Sequence, residues 1–312
     1  MTQAEKLFKH LEGSNNILIV SHRNPDGDTL GSAGALLFFL ESLGHKELGL
    51  YCTDPVPSNL EFLGLNRFKV DALTLENYDL IIAVDCADLQ QATLEDLVSQ
   101  VKGKIAFINI DHHVTNTKYA DVNIVEPNAA STSEIIYKIY KEKNVKLTPE
   151  ISSCLLAGLV TDTNYFTNNA TTKMSVSAAG DLLKQGVNLR TIINNTWKKH
   201  STASLKIWGK VLSQLHFNSK YKIITAIVPS EANLFPEMLE GLANFLTVSY
   251  EANIIIVMRQ VDEEVKFSLR TTQPHINVAS LATKFGGGGH AKAAGFSVRG
   301  QILETENGWR IM

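Results

Sequence analysis

The chain has 312 residues, 44% hydrophobic and 20% charged, which is enough for two domains with proper cores and excludes a disordered chain. Its net charge of −3 excludes a protein that coats long nucleic acid, while a small anionic substrate held at a metal remains compatible. Cys52, Cys86 and Cys154 lack metal-ligand spacing, Met1 to Asn16 is polar, and no apolar run approaches the ~20 residues that cross a bilayer, so a cytoplasmic chain without membrane contact is expected.

The first apolar run, Ile17–Val20, reads as a buried strand, and it feeds the loop Ser21-His22-Arg23-Asn24-Pro25-Asp26-Gly27-Asp28. An apolar, helix-like stretch follows from Leu30 to Leu43. An imidazole and two carboxylates therefore sit where a strand ends and a helix begins, the usual ligand position in an α/β sheet. Carboxylates so close repel unless a cation lies between them. The competing reading is an ordinary Pro-Asp-Gly turn with Asp28 as helix cap. Three more apolar runs, Leu48–Tyr51, Leu80–Val84 and Ile105–Ile110, alternate with amphipathic segments, which predicts a mostly parallel sheet covered on both faces. Two of them deliver chemistry at their ends: Asp85 after the third run, and Asp111-His112-His113 after the fourth.

Beyond Pro127 the pattern turns helical. Ser131-Thr132-Ser133-Glu134 has the capping-box spacing, and Pro149 suits a first helical turn. The apolar helix from Glu150 to about Val160 closes on Thr161-Asp162-Thr163. A carboxylate there is costly unless paired or bound to a cation; the alternative is a turn facing solvent. Tyr165-Phe166, near Asp162, reads as a packed aromatic pair; stacking on a base is the alternative. Thr171 to Gln185 forms another amphipathic helix, stopped by Gly186. The expected organisation is a first domain over 1–188, a helical connector over 189–218 and a second domain over 219–312.

The second domain opens with a strand, Ile223–Val228, followed by a helix from about Met238 to Leu246. Strands Ile254–Arg259 and Val265–Arg270 flank a hairpin-like turn. A short helix, Val278 to Lys284, leads into Gly286-Gly287-Gly288-Gly289-His290 and then Ala293-Ala294-Gly295-Phe296. A backbone this bare lets an anion approach main-chain N–H groups, so with Arg270 it predicts a phosphate or nucleotide cradle; a flexible surface loop is the alternative.

His22, Asp26, Asp28, Asp85, His112 and Asp162 form an O/N donor set without thiolate, which suits Mn²⁺ or another hard or borderline divalent ion. Four carboxylates balance two divalent cations, so the loaded site would accept an anionic phosphate ester that the empty one would repel. Hydrolysis of a phosphate ester or anhydride at a two-metal site is the reaction class that fits.

These motifs, in this order, resemble the four motifs of the DHH phosphoesterase superfamily, and Arg270 with Phe285–His290 and Ala293–Phe296 is similar to the associated DHHA1 domain. The resemblance implies an α/β DHH domain facing a smaller α/β DHHA1 domain across a cleft. It implies one cation held by His22, Asp26 and Asp85 and another by Asp28, Asp85, His112 and Asp162, with Asp85 bridging. His113 would face the substrate phosphate, Asp111 would orient the imidazoles, and Arg270, Gly288, Gly289 and His290 would bind the nucleotide's far end. The implied activity is hydrolysis of short oligoribonucleotides and dinucleotides, with dephosphorylation of pAp to AMP. Cleavage of a cyclic dinucleotide or its linear product pApA is the alternative within the superfamily. A pyrophosphatase and a catalytically dead nucleotide sensor are the alternatives further away. Such folds are compatible with a homodimer. Asn164 departs from the pattern, standing where a glycine is often found, and Thr29 replaces a usual Ala.

Overall fold

The computed structural model describes residues 1–45, 47–70, 73–92, 103–197, 201–229, 239, 241–305 and 308–312. It divides into two compact units, Met1–Trp197 and Lys198–Met312. Among the described residues no helix is long and apolar enough to cross a membrane.

In the first unit, β1 (Asn16–Val20), β2 (Glu47–Tyr51), β3 (Leu80–Val84), β4 (Ala106–Asp111) and β5 (Val122–Val125) form an all-parallel sheet in the order β2-β1-β3-β4-β5. The central strands are unbroken apolar runs because both faces are covered. Ile17, Ile19 and Ile82 enter one core, while Leu18, Val20 and Ile81 enter the other. β5 escaped the sequence reading because it is an edge strand with a single buried residue, Ile124, and so lacks the apolar run. The larger core is built from α1 (Gln3–Glu12), α2 (Gly27–Ser42), α3 (Thr132–Glu142), α4 (Pro149–Asp162) and α5 (Lys173–Leu183). α2 is buried from Gly27 to Leu40, which explains why it is apolar all round rather than amphipathic.

Local signals act where expected, with small shifts. Thr148 caps α4 ahead of Pro149, and the helix runs on through Asp162. Ser131 caps α3 by accepting from the Glu134 amide, but the Glu134 carboxylate reaches one residue further back, to the Ala130 amide at 3.2 Å. α6 (Leu189–Thr196) closes the first unit and α7 (Thr202–Ser213) lies in the second. The two helices of the 189–218 stretch thus belong to different units, and residues 198–200 between them lie outside the described set.

Topology positions the site. The chain leaves β1 toward β2 on one side, while β3 pairs with β1 on the other. This reversal opens a crevice at the carboxyl ends of β1 and β3, where ligands of open α/β sheets bind.

The second unit holds a six-stranded mixed sheet in the order β10-β11-β9-β8-β7-β6, from β6 (His216–Asn218), β7 (Ile223–Val228), β8 (Ile254–Val261), β9 (Glu264–Arg270), β10 (Gly288–His290) and β11 (Ala293–Arg299). A two-stranded sheet, β12 (Ile302–Thr305) with β13 (Gly308–Ile311), follows. β7 and β8 are parallel, and the other pairs in the mixed sheet are antiparallel. α8 (Leu242–Ser249) starts later than the sequence pattern predicts; residues 230–238 and 240 lie outside the described set. Trp208 and Val211 of α7 and Leu246 of α8 pack on Ile224 and Ile255. α9 (Val278–Thr283) covers the opposite face, where Val278 and Ala282 pack with Leu269 of β9.

Candidate active site

His22 follows β1, and Asp26 caps α2: its Oδ1 accepts from the amides of Asp28 at 3.0 Å and Thr29 at 3.1 Å. The helix cap is therefore Asp26, which leaves Asp28 available for something else. Asp28 is fully buried, and both its oxygens accept from the N-terminus of α3, from Thr132 N at 2.6 Å and Ser133 N at 3.0 Å. Positive charge from the α3 helix end stabilises a carboxylate there. This approach requires Gly158 on α4, since a Cβ there would collide with Ser133 Oγ and lie 2.6 Å from Asp28 Oδ1. Asp85 directly follows β3 and sits in the left-handed region, at φ 58°, with its amide donating to Ile110 O at 2.9 Å. Among non-glycine residues Asp and Asn tolerate this backbone best, and such local strain gathers at functional sites.

Around Asp85 the donors converge from four further segments. Its Oδ2 lies 3.4 Å from His22 Nε2, which is itself 3.7 Å from Asp26 Oδ1. Its Oδ1 faces the other way, 3.6 Å from His112 Nε2, which is 3.2 Å from Asp162 Oδ2. His22, Asp26 and Asp85 form one group with metal-ligand spacing, and Asp28, His112 and Asp162 form another. The donor set fits cations on two grounds. Ligand atoms sharing one ion at ~2.1 Å stand about 3.0–3.4 Å apart, close to these gaps and longer than a charge-assisted hydrogen bond. Each imidazole also spends its Nδ1–H on a backbone carbonyl, His22 on Arg23 O at 2.8 Å and His112 on Ala129 O at 3.4 Å, which turns the Nε2 lone pair inward. Asp28, already bound to two amides, keeps one lone pair on each oxygen.

Crowded acids perturb titration. Burial, then the Asp85 charge, raises Asp28 to about 7. Burial followed by the charges of Asp28 and Asp85 pushes Asp162 well above the carboxylate range. For His22 burial acts downward, but hydrogen bonds to Asp26 and Asp85 outweigh it and raise the imidazole to about 11. Without a cation the pocket holds protons in its place.

Asp111 and His113 make a different kind of contact. His113 Nδ1 lies 2.7 Å from Asp111 Oδ1, a genuine hydrogen bond, and the fully buried Asp111 also accepts from Asn116 Nδ2 at 2.6 Å. Burial works against the His113 charge, yet the hydrogen bond to Asp111 together with the charges of Asp85, Asp111 and Asp28 outweighs it and raises His113 to about 9. Asn116 in turn donates to Asn109 Oδ1 at 2.7 Å. The sequence reading missed Asn109, Asn116 and Thr132, whose hydroxyl donates to Asp85 Oδ1 at 3.1 Å. Thr132 was legible only as part of a helix cap, and the two amides carry no pattern of their own.

After Asp162 the chain makes a left-handed turn at Asn164, Tyr165 and Phe166, with φ of 46°, 59° and 61°. This explains how Asn can stand at position 164, since it tolerates this region better than most residues. Tyr165 packs on Trp197 at 4.6 Å between centroids and joins Phe166 against the core, as a packed pair should.

In the second unit Arg270 ends β9, directly opposite Ala293, which in turn pairs with His290. Its Nε donates to Asn244 Oδ1 at 3.3 Å. The glycine run is a helix stop joined to an edge strand, rather than an open nest of amides. Gly286 N and Gly287 N donate to Thr283 O and Ala282 O, while Gly288, Gly289 and His290 form β10 at the sheet edge. The side chain of His290 lies outside the described set.

The parallel sheet with an acid- and imidazole-lined crevice at its switch point, followed by the mixed sheet, defines the class. The DHH family, N-terminal domain, matches residues 16–159, and the DHHA1 domain matches residues 220–306. The chain belongs to the DHH family of phosphoesterases. It is 29% identical to the bifunctional oligoribonuclease and PAP phosphatase NrnA of Thermus thermophilus, over 97% of this chain and 90% of the relative. It is 32% identical to a probable manganese-dependent inorganic pyrophosphatase of Staphylococcus epidermidis, over 80% of this chain and 74% of the relative. The crystal structure of an exopolyphosphatase-related protein from Bacteroides fragilis superposes with a TM-score of 0.84 at 25% identity, covering 96% of this chain and 94% of that one.

Proposed function

We propose that this chain is a two-metal phosphodiesterase that hydrolyses short oligoribonucleotides and dinucleotides and converts pAp to AMP. The observation that carries the reading is Asp85, whose two oxygens face two separate donor groups, as a bridging ligand's must. His22, Asp26 and Asp85 would hold one cation, and Asp28, Asp85, His112 and Asp162 the other. Mn²⁺ fits this set of oxygens and imidazoles without thiolate. When bound, such cations lower the pKa of an attacking water and offset charge on the phosphoryl oxygens.

The protein's own groups do the positioning. Asp111 holds the His113 ring by Nδ1, which orients the imidazole that would face the substrate phosphate. Asn116 keeps Asp111 in line. In the second unit Arg270 would grip a phosphate through its planar fork, with Gly288, Gly289 and His290 of the edge strand beside it. The buried, unpaired cysteines fit a reducing, cytoplasmic setting.

Pyrophosphate hydrolysis is the second reading, favoured by the 32% identity to the pyrophosphatase relative. The oligoribonuclease relative aligns over more of both chains, and the DHHA1 match covers residues 220–306. The test is purified protein with Mn²⁺ and a panel of pAp, pApA, cyclic di-AMP and pyrophosphate. Turnover of pAp and pApA is expected. Rapid pyrophosphate cleavage with both nucleotides inert would replace the first reading with the second.

A further inference from the structure

β4 interrupts its apolar run with Asn109, which is fully buried, as are its neighbours Ile108 and Ile110. A side-chain amide in such a place is costly unless its hydrogens find acceptors. Here they do. Asn109 Nδ2 donates to Tyr119 Oη at 3.0 Å and to Cys86 O at 3.1 Å, with Ala83 O further off at 3.4 Å. The Tyr119 hydroxyl donates its own hydrogen to the same Cys86 carbonyl at 3.1 Å, and Asn109 Oδ1 accepts from Asn116 Nδ2 at 2.7 Å. The next carbonyl, Ala87 O, accepts from Thr117 N at 2.9 Å. The turn after β3 is therefore stitched at two successive carbonyls, to Asn109 and to the segment 117–119.

That stitching matters because Asp85 stands immediately before Cys86, in a left-handed conformation that a non-glycine residue keeps only where its surroundings over-determine it. On one side the Asp85 amide is fixed on Ile110 O, and on the other the Cys86 carbonyl is fixed by Asn109 and Tyr119. Relaxation of this backbone would swing the Asp85 side chain, so that its two oxygens no longer face His22 and His112 together. Through Asn116 the same cluster reaches Asp111 Oδ2, and Asp111 holds His113. One buried set of hydrogen bonds thus fixes both the carboxylate between the two donor groups and the imidazole beside it. Tyr119 belongs to neither donor group, and its ring packs on Phe107 at 5.6 Å between centroids.

We propose that Asn109 and Tyr119 are positioning residues for Asp85: they hold the Cys86 carbonyl, and so keep the Asp85 carboxylate in the orientation from which it serves both cation sites. The inference rests on the two-metal reading above. Its test is Tyr119→Phe, which removes a single hydroxyl and keeps the ring on Phe107, beside Phe107→Leu, which disturbs that packing and leaves the polar cluster whole. Mn²⁺ binding to the full chain is measured by titration calorimetry, and steady-state kinetics on pApA give kcat and KM separately. Tyr119→Phe should weaken Mn²⁺ binding about tenfold and lower kcat about tenfold with KM little changed, the lower end of what removing a supporting partner of a metal ligand costs. Phe107→Leu should lower the Tm and leave Mn²⁺ affinity and kcat near those of the wild type. Wild-type Mn²⁺ affinity in Tyr119→Phe, or an equal loss of it in Phe107→Leu, would overturn the positioning role and leave the two-metal reading in place. A wild-type chain that binds no Mn²⁺ would overturn that reading and the inference with it.

Discussion

The two units handle charge in opposite ways. In the first, acids and imidazoles are packed so closely that burial and mutual repulsion push Asp28 to about 7, while hydrogen bonds to Asp26 and Asp85 raise His22 to about 11. In the second, Arg259 and Lys266 line an open cavity. Chemistry at phosphorus needs groups held rigidly in a poorly hydrated pocket, where electrostatics is strong. Gripping a strand of variable sequence needs cations that stay hydrated until the ligand arrives. On the function proposed above, bond-breaking would fall to the switch point of the parallel sheet and recognition to the mixed sheet.

The largest expected effect sharpens the first half of that contrast. Asp85→Ala should lower kcat/KM on pApA by about 10³-fold or more, since both proposed cation sites would lose a ligand at once. Circular dichroism should remain that of the native fold, and near-wild-type turnover would remove the bridging role. Next comes Arg270→Ala, which should cost dinucleotides about 10–10² in kcat/KM while a small activated phosphodiester loses much less. Equal losses on both substrates would erase the division of labour between the units.

Titration offers a third way to break the comparison. Folded values of Asp28 and His22 lie above their unfolded ones, so in EDTA their contribution to stability is greatest when both are protonated. That contribution falls as pH rises through about 7 for Asp28 and through about 11 for His22. Cations need those protons gone, so Mn²⁺ affinity should rise about tenfold per pH unit for each proton displaced. Thermal unfolding with and without Mn²⁺ across about pH 6–8 reads both trends, and a cation effect independent of pH would contradict the crowded pocket. Last comes Gly158→Ala, read on stability rather than on turnover, which forces a methyl against Ser133 Oγ and Asp28. It should destabilise the fold by about 1–3 kcal/mol in a urea titration.

Much of this was legible because parallel strands are short apolar runs and the motif residues follow them directly. β1, β3 and β4 each end on a group that could be named in advance: His22, Asp85 and Asp111 with His112. Legibility failed where a residue's role depends on a distant partner. Asp28 read as a helix cap or a ligand, and its anchoring by the α3 amides 104 and 105 residues away carries no local mark. The glycine run read as a cradle of amides, but two of those amides are spent on the end of α9.

What the chain determined by itself is the alternation of apolar runs with polar ends, because hydrophobic period and turn chemistry are properties of neighbours in sequence. Tertiary structure decided strand order, and with it the reversal between β1 and β3 that joins His22 to Asp85. It also decided that Arg259 and Lys266 stand face to face. Strand register is a relation between distant segments, settled by which faces the helices bury, and only the folded molecule contains it.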